Sequence, residues 1–290
     1  IDSSLDPYPD GLLARLAEKG VNGIWLHVVL NQIALGGAFV PEFGGHCEER
    51  LANLHRLVER ASQYGIRVYL YINEPRAMPP AFFESRAEMA GVREGDLIAL
   101  CTSHEKVLAW VRSALAYVFA QVPGLAGVFT ITASENLTNC ASHGSQQACP
   151  RCGLRDYADI IADINKALAD GVHKGNPDAK VIVWDWGWHS HGDAPDVIAK
   201  LPKSVWLMSA SEWAKPIARG GVNATVGEYS MSVVGPGPRA TRHWTLAKAA
   251  GLKTIAKVQF NNSWELSAVP WLPVCDLVAQ HAANLAQADI

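Results

Sequence analysis

The sequence contains no run of about 20 consecutive apolar residues, the length a helix needs to cross a bilayer. This argues against a helical membrane span. Charge is also scarce. Acidic and basic residues make up 18% of the 290 positions, against roughly 25% in an average soluble domain. Hydrophobic residues make up 49%, so the balance favours one large core and excludes disorder, collagen and a coiled coil. There is no basic excess: the formal net charge is −3. A nucleic-acid binder usually carries a basic face, so neither a nucleic-acid nor a membrane partner is expected. No G-x-G-x-x-G follows the first expected strand, which weighs against a dinucleotide fold. Internal repeats, low-complexity segments and linkers are also missing. The chain opens on Ile1 without a signal-peptide pattern, which tilts the expected location toward the cytoplasm.

Helices and strands alternate along the chain. Residues 10–19 read as a short amphipathic helix, and 48–65 as a stronger one with a glycine stop. Further helices are expected at 104–122, 155–174, 241–250 and 271–288. Eight short, mostly apolar segments read as strands: 23–30, 66–75, 96–103, 124–136, 179–188, 204–211, 223–232 and 252–260. Parallel strands covered by helices have this signature. Eight of them in one domain spanning 1–290 predict an α/β fold, the (β/α)8 TIM barrel. Only a short segment, 212–221, separates the sixth and seventh candidates. If 223–232 is a loop insertion, the barrel lacks its last strand within this sequence.

Barrel active sites lie at the C-terminal strand ends. The expected ends carry His27, then Asn73-Glu74-Pro75-Arg76, Ser134-Glu135-Asn136, Trp184-Asp185-Trp186, Glu212-Trp213, Glu228-Tyr229, and finally Gln259, Asn261, Trp264 and Glu265. Carboxylates, amides and indoles converging on one rim suit glycoside hydrolysis. That reaction needs a carboxylic acid to protonate the leaving oxygen and a second carboxylate as nucleophile or base. Indole faces stack on sugar C–H faces, although core packing is the plainer reading of any single Trp. Arg76 is a candidate partner for an acidic sugar, or else for Glu74 in a strand-end turn.

The layout resembles the large clan of barrel glycoside hydrolases, in which the acid/base Glu ends strand four and the nucleophile ends strand seven. It is closest to the β-hexosaminidase-like families through Ser134-Glu135 and Trp264-Glu265, with Ser134 standing where those enzymes carry Asp. The resemblance implies a glycoside hydrolase with Glu135 as general acid/base and Glu265 or Glu228 as nucleophile. His27, Asn73, Glu74, Arg76, Trp184, Asp185, Trp186, Glu212, Trp213, Tyr229, Lys257, Gln259, Asn261 and Trp264 would bind a carbohydrate substrate. No cofactor is expected for catalysis.

Two features stand apart. In the last expected strand Ile255, Lys257 and Gln259 share a face opposite Ala256, Val258 and Phe260. Lys257 would then point into the barrel, as a substrate ligand, as half of a Lys–Glu pair, or as the Schiff-base lysine of a barrel lyase or aldolase. A non-catalytic carbohydrate-binding barrel is a further alternative. Separately, Cys140, His143, Cys149 and Cys152 have the spacing of a Cys3His structural zinc site. A disulfide or free thiols in a tight turn would also fit this segment.

Overall fold

The computed structural model describes residues 6–260 and 272–290. Its contacts divide the chain into two compact units, 1–183 and 184–290. The principal strands number six: Gly23–His27 (β1), Arg67–Ile72 (β2), Gly127–Ile131 (β5) and Lys180–Trp184 (β6), then Trp206–Ala210 (β7) and Lys253–Lys257 (β10). In the first unit β1 pairs with β2, and β2 with β5, all parallel. In the second unit β7 and β10 are parallel partners. No helix of the described residues is long and apolar enough to cross a membrane.

Patterning accounts for the elements. Cys47–Gln63 (α3) buries Cys47, Leu51, Leu54, Leu57, Val58 and Ala61, a stripe at helical spacing, and carries Glu48 and Glu49 in its first turn. In β2 the period is two: Val68, Leu70 and Ile72 are buried, while Tyr69 and Tyr71 are half-buried on the other face. In the second unit Ala256, Val258 and Phe260 pack on Ala240, Trp244 and Leu285. These come from Pro238–Ala249 (α7) and Cys275–Gln287 (α8). Lys257 therefore lies on the face away from these helices, as the alternation predicts.

Two of the eight expected strands are not part of the principal sheet. Segment 96–103 supplies Leu97–Leu100 (β4), which pairs antiparallel with Ala90–Glu94 (β3). Only Gly95 and Asp96 join them, a hairpin connection, whereas a parallel crossover needs a dozen or more residues. Segment 223–232 supplies only Val222–Thr225 (β9), exposed along its length and antiparallel to Pro216–Arg219 (β8) across a Gly220-Gly221 turn. The insertion reading of that segment is the one the structure supports. The first hairpin also shifts the strand count. Because β2 pairs directly with β5, Glu135 follows the third principal strand and not the fourth.

Two long helices of the first unit, Glu105–Gln121 (α4) and Tyr157–Gly175 (α5), pack against each other. Gly171 makes this possible, because a Cβ there would lie 2.7 Å from the Arg112 carbonyl oxygen. Gly171→Val should lower stability by roughly 1–3 kcal/mol, the usual cost of overpacking. Urea denaturation checks this, and an unchanged midpoint would mean that the two helices do not approach so closely.

Candidate active site

In the first unit the sites cluster where β1, β2 and β5 end. Glu74 is fully buried. Its Oε1 accepts the Leu30 N–H at 2.7 Å and its Oε2 accepts the Arg76 N–H at 3.0 Å. Burial pushes its carboxyl up to about 7, against the opposing pull of those amides and the Arg76 charge. Each oxygen thus accepts one backbone amide and the carboxyl is buried, so Glu74 braces the rim from within, where an open lining position was expected. The Arg76 guanidinium donates to Asn136 Oδ1 and lies 2.8 Å from His27 Nε2. It partners neither carboxylate oxygen of Glu74 through its side chain, so the Arg–Glu pair reading is replaced by a His27–Arg76–Asn136 chain. Burial, then the Arg76 charge, holds the His27 pKa below its ordinary value.

Glu135 is exposed beside this chain, and the Tyr71 hydroxyl reaches its Oε2 at 3.4 Å. Tyr71 stacks on Phe129 at 4.7 Å and meets the edge of half-exposed Trp25 at 5.3 Å. Asn73 is buried, and its Oδ1 has no hydrogen-bond partner among the described residues. Tyr71, Trp25 and Asn136 are absent from the sequence-based site. The alternation of R-V-Y-L-Y-I, which places Tyr69 and Tyr71 on the face of β2 opposite its fully buried residues, is the signal that could have found Tyr71.

The loop after Glu135 is anchored by His143. Its Nδ1 lies 2.6 Å from Glu94 Oε2, and its Nε2 meets the Ser134 carbonyl oxygen. Both partners are acceptors, so the ring must carry both protons to satisfy them. Burial lowers its pKa, but Glu94 and the Ser134 carbonyl outweigh that, and the net shift is upward. His143 is therefore not a metal ligand here, contrary to the expected Cys3His set. The sulfurs of Cys140, Cys149 and Cys152 are instead joined by Cys101, all four within 4.8 Å of one another and all buried.

In the second unit Asp185 is fully buried. Its Oδ2 accepts from Ser209 Oγ at 2.5 Å, His243 Nδ1 at 2.7 Å and Arg239 Nη1 at 3.0 Å. His243 Nε2 accepts the Ala194 N–H at 3.2 Å. Burial raises the Asp185 pKa, but the His243 hydrogen bond and the Arg239 charge overcome it and leave the carboxyl below its usual range. The expected sugar ligand is thus the pin that ties α7 to the ends of β6 and β7.

The indoles differ from the open platform expected of them. Trp184 and Trp186 are each only 6% exposed. Trp186 packs edge-on to Trp213 at 5.0 Å and stacks over Tyr229 at 5.9 Å, with His191 at 4.2 Å. Trp213, half-buried, is the partly accessible face of this cluster. Lys257 Nζ lies 4.7 Å from the Tyr229 ring centre and 5.8 Å from that of Trp184. Burial lowers its pKa, partly offset by Glu212. Glu212 is fully buried, with His281 Nδ1 at 3.3 Å from its Oε1, so it lies beneath the exposed surface where a lining position was expected. Gln259 Oε1 is buried without a partner among the described residues. Glu228 is exposed on the loop after β9, not in mid-strand. Asn261, Trp264 and Glu265 lie outside the described residues.

No protein-family model matches the sequence, and no curated protein matches it. Solved structures do. A GH138 enzyme targeting pectin rhamnogalacturonan II superposes with a TM-score of 0.54 at 14% identity, over 87% of this chain and 26% of that one. A GH5-4 broad specificity endoglucanase from an uncultured bacterium gives 0.51 at 10% identity, over 98% and 76%. The Flavobacterium johnsoniae chitobiase, a GH20 protein, gives 0.51 at 17% identity, over 96% and 42%. The likeness is one of fold, an α/β barrel. The chain spans about a quarter of the GH138 enzyme and less than half of the chitobiase.

Two outcomes follow from the geometry. Asp185→Asn strands the buried Arg239 guanidinium and should cost about 3–5 kcal/mol. In the parent, because the folded pKa is depressed, the stabilisation from Asp185 is present above its unfolded value and is lost as pH falls through the folded one. Acid unfolding of both proteins checks this, and equal stability at neutral pH would remove Asp185 as the pin. For His143 the sign is opposite. Its folded pKa is raised, so its contribution is complete below about 6.5 and is lost as pH rises through the folded value. Titration of the His143 ring by NMR should give a midpoint above that of a free histidine, and Glu94→Gln should lower it.

Proposed function

We propose that the protein is a glycoside hydrolase in which Glu135 acts as general acid/base. The observation that carries this reading is the Glu135 carboxylate itself. It is exposed at the C-terminal end of a principal strand, with the Tyr71 hydroxyl at 3.4 Å and the His27–Arg76–Asn136 chain beside it. A glycosidic oxygen leaves poorly as an alkoxide, so a positioned carboxylic acid that delivers its proton speeds bond cleavage. Barrel enzymes carry their chemistry at the C-terminal strand ends, which supports the reading. Asn73 Oδ1, a buried acceptor with no partner among the described residues, suits a sugar hydroxyl donor.

The second carboxylate is Glu265 or Glu228. It would either attack the anomeric carbon as nucleophile or activate water as base. Lys257 is read as a cation that binds substrate oxygen. Borohydride treatment in the presence of substrate should leave it unmodified, whereas a reduced adduct on Lys257 would favour the lyase reading.

A panel of chromogenic glycosides, including glucuronides and N-acetylhexosaminides, tests the activity. On a substrate with a poor leaving group, Glu135→Gln should lower turnover by roughly 10²–10⁴-fold, the usual contribution of general acid catalysis. An activated aryl glycoside should lose less. Near-parental rates on both would remove Glu135 from the mechanism, and sugar binding with no turnover in the parent would favour a binding protein.

A further inference from the structure

We infer that Cys101, Cys140, Cys149 and Cys152 form a tetrathiolate zinc site that fastens the Glu135 loop to the β3–β4 hairpin. This rests on the first unit alone and stands whether or not the glycosidase reading holds. Cys101 directly follows β4, Cys140 lies in the loop beyond Glu135, and Cys149-Pro-Arg-Cys152 is a tight turn. Cys101 Sγ lies 3.7 Å from Cys149 Sγ and 3.6 Å from Cys152 Sγ. Four sulfurs held at ~2.3 Å around one zinc lie about 3.8 Å apart, so these spacings are the edges of a zinc–thiolate tetrahedron. They are far from the ~2.05 Å of a disulfide. All four side chains are at most 1% exposed, so any ion they hold is shut off from water. A closed four-ligand site of this kind is structural.

The surroundings are built for thiolates. Arg151 Nε donates to Cys101 Sγ at 3.3 Å, and its Nη2 donates to the Ala90 carbonyl oxygen at 2.8 Å, which holds the guanidinium in place. Ser103 Oγ lies 3.1 Å from Cys152 Sγ and accepts from Arg155 Nη1 at 2.8 Å, so the hydroxyl proton is left to point at sulfur. Zinc with four thiolates carries two net negative charges, and the adjacent guanidinium offsets part of that. Partners of this type orient the ligands and tune the metal. The backbone makes room as well: a side-chain carbon on Gly91, in β3, would overlap Cys140 Sγ. Loading releases the thiol protons to solvent as the four zinc–sulfur bonds form, with no change in oxidation state.

The mechanical consequence follows from chain order. β5 ends at Ile131, and the segment through Glu135 is held at Ser134 by His143 and at Cys140 by the metal. Zinc thus closes a loop between residues 101 and 152 and leaves Glu135 on its accessible side.

The test is elemental analysis of the whole chain, purified without added metal, together with Cys101→Ser and His143→Ala. The expected result is about one zinc per parent chain, retained by His143→Ala and lost by Cys101→Ser. Replacing zinc by cobalt in the parent should give the strong sulfur-to-cobalt charge-transfer absorption of four thiolates, a readout that does not depend on whether Cys101→Ser folds. Chelation of the parent should lower its Tm and expose the 134–152 segment to protease. The assignment is overturned by a metal-free parent with reactive thiols, by disulfides seen in the intact mass, by iron in place of zinc, or by zinc lost from His143→Ala and kept by Cys101→Ser.

Discussion

Glu74 is the group on which the first unit's rim depends. A carboxylate removed from water is costly unless its oxygens are satisfied, and Glu74 is satisfied by two backbone amides from different strand exits. That arrangement fixes the path of the chain after β1 and after β2 at once. It also fixes where Arg76 begins, and the guanidinium then spans from His27 to Asn136. Three strand ends are joined through one buried acid and the cation two residues on. Glu135 stands next to this frame, exposed, with the Tyr71 hydroxyl at 3.4 Å from its Oε2.

The second unit repeats the principle with other groups. Asp185 gathers a hydroxyl, an imidazole N–H and a guanidinium on one oxygen, and so joins the ends of two strands to α7. Near it the chain accepts three consecutive left-handed residues, His189, Ser190 and His191. Such conformations cost energy in non-glycine residues and persist only where the surroundings hold them. Here the His191 ring is held between Trp186 and Trp213, and its carbonyl accepts the Trp213 indole N–H at 2.9 Å. Packing and hydrogen bonding concentrate at these strand ends, where a barrel fold keeps its chemistry.

The two hairpins show why a strand is easier to recognise than its place in a sheet. L-I-A-L and V-N-A-T are extended, as their side chains suggest, but neither belongs to the principal sheet. The two-residue connections Gly95-Asp96 and Gly220-Gly221 were the legible sign, since they are too short for any parallel crossover. Each hairpin instead has a local consequence: β3–β4 brings Gly91, Glu94 and Cys101 to the Glu135 loop, whereas β8–β9 stands exposed.

The sequence by itself determined the alternation of helices and strands, the buried and open faces of β2 and β10, and the gathering of polar residues at strand ends. These depend on periodicity, which is a property of neighbouring residues. Tertiary structure alone decided which polar residues are spent and which are free. Glu74, Asp185 and Glu135 are alike as letters after apolar runs, but the first two are buried among donors contributed from far along the chain, whereas Glu135 is exposed and meets the Tyr71 hydroxyl at 3.4 Å. The same holds for the sulfurs. His143 has the right spacing to ligate a metal, but Glu94 and the Ser134 carbonyl claim its two nitrogens, and the fourth thiol comes from Cys101, 39 positions before Cys140. Spacing along a chain constrains only local ligands, while burial, charge and hydrogen-bond supply are set by residues that meet only after folding.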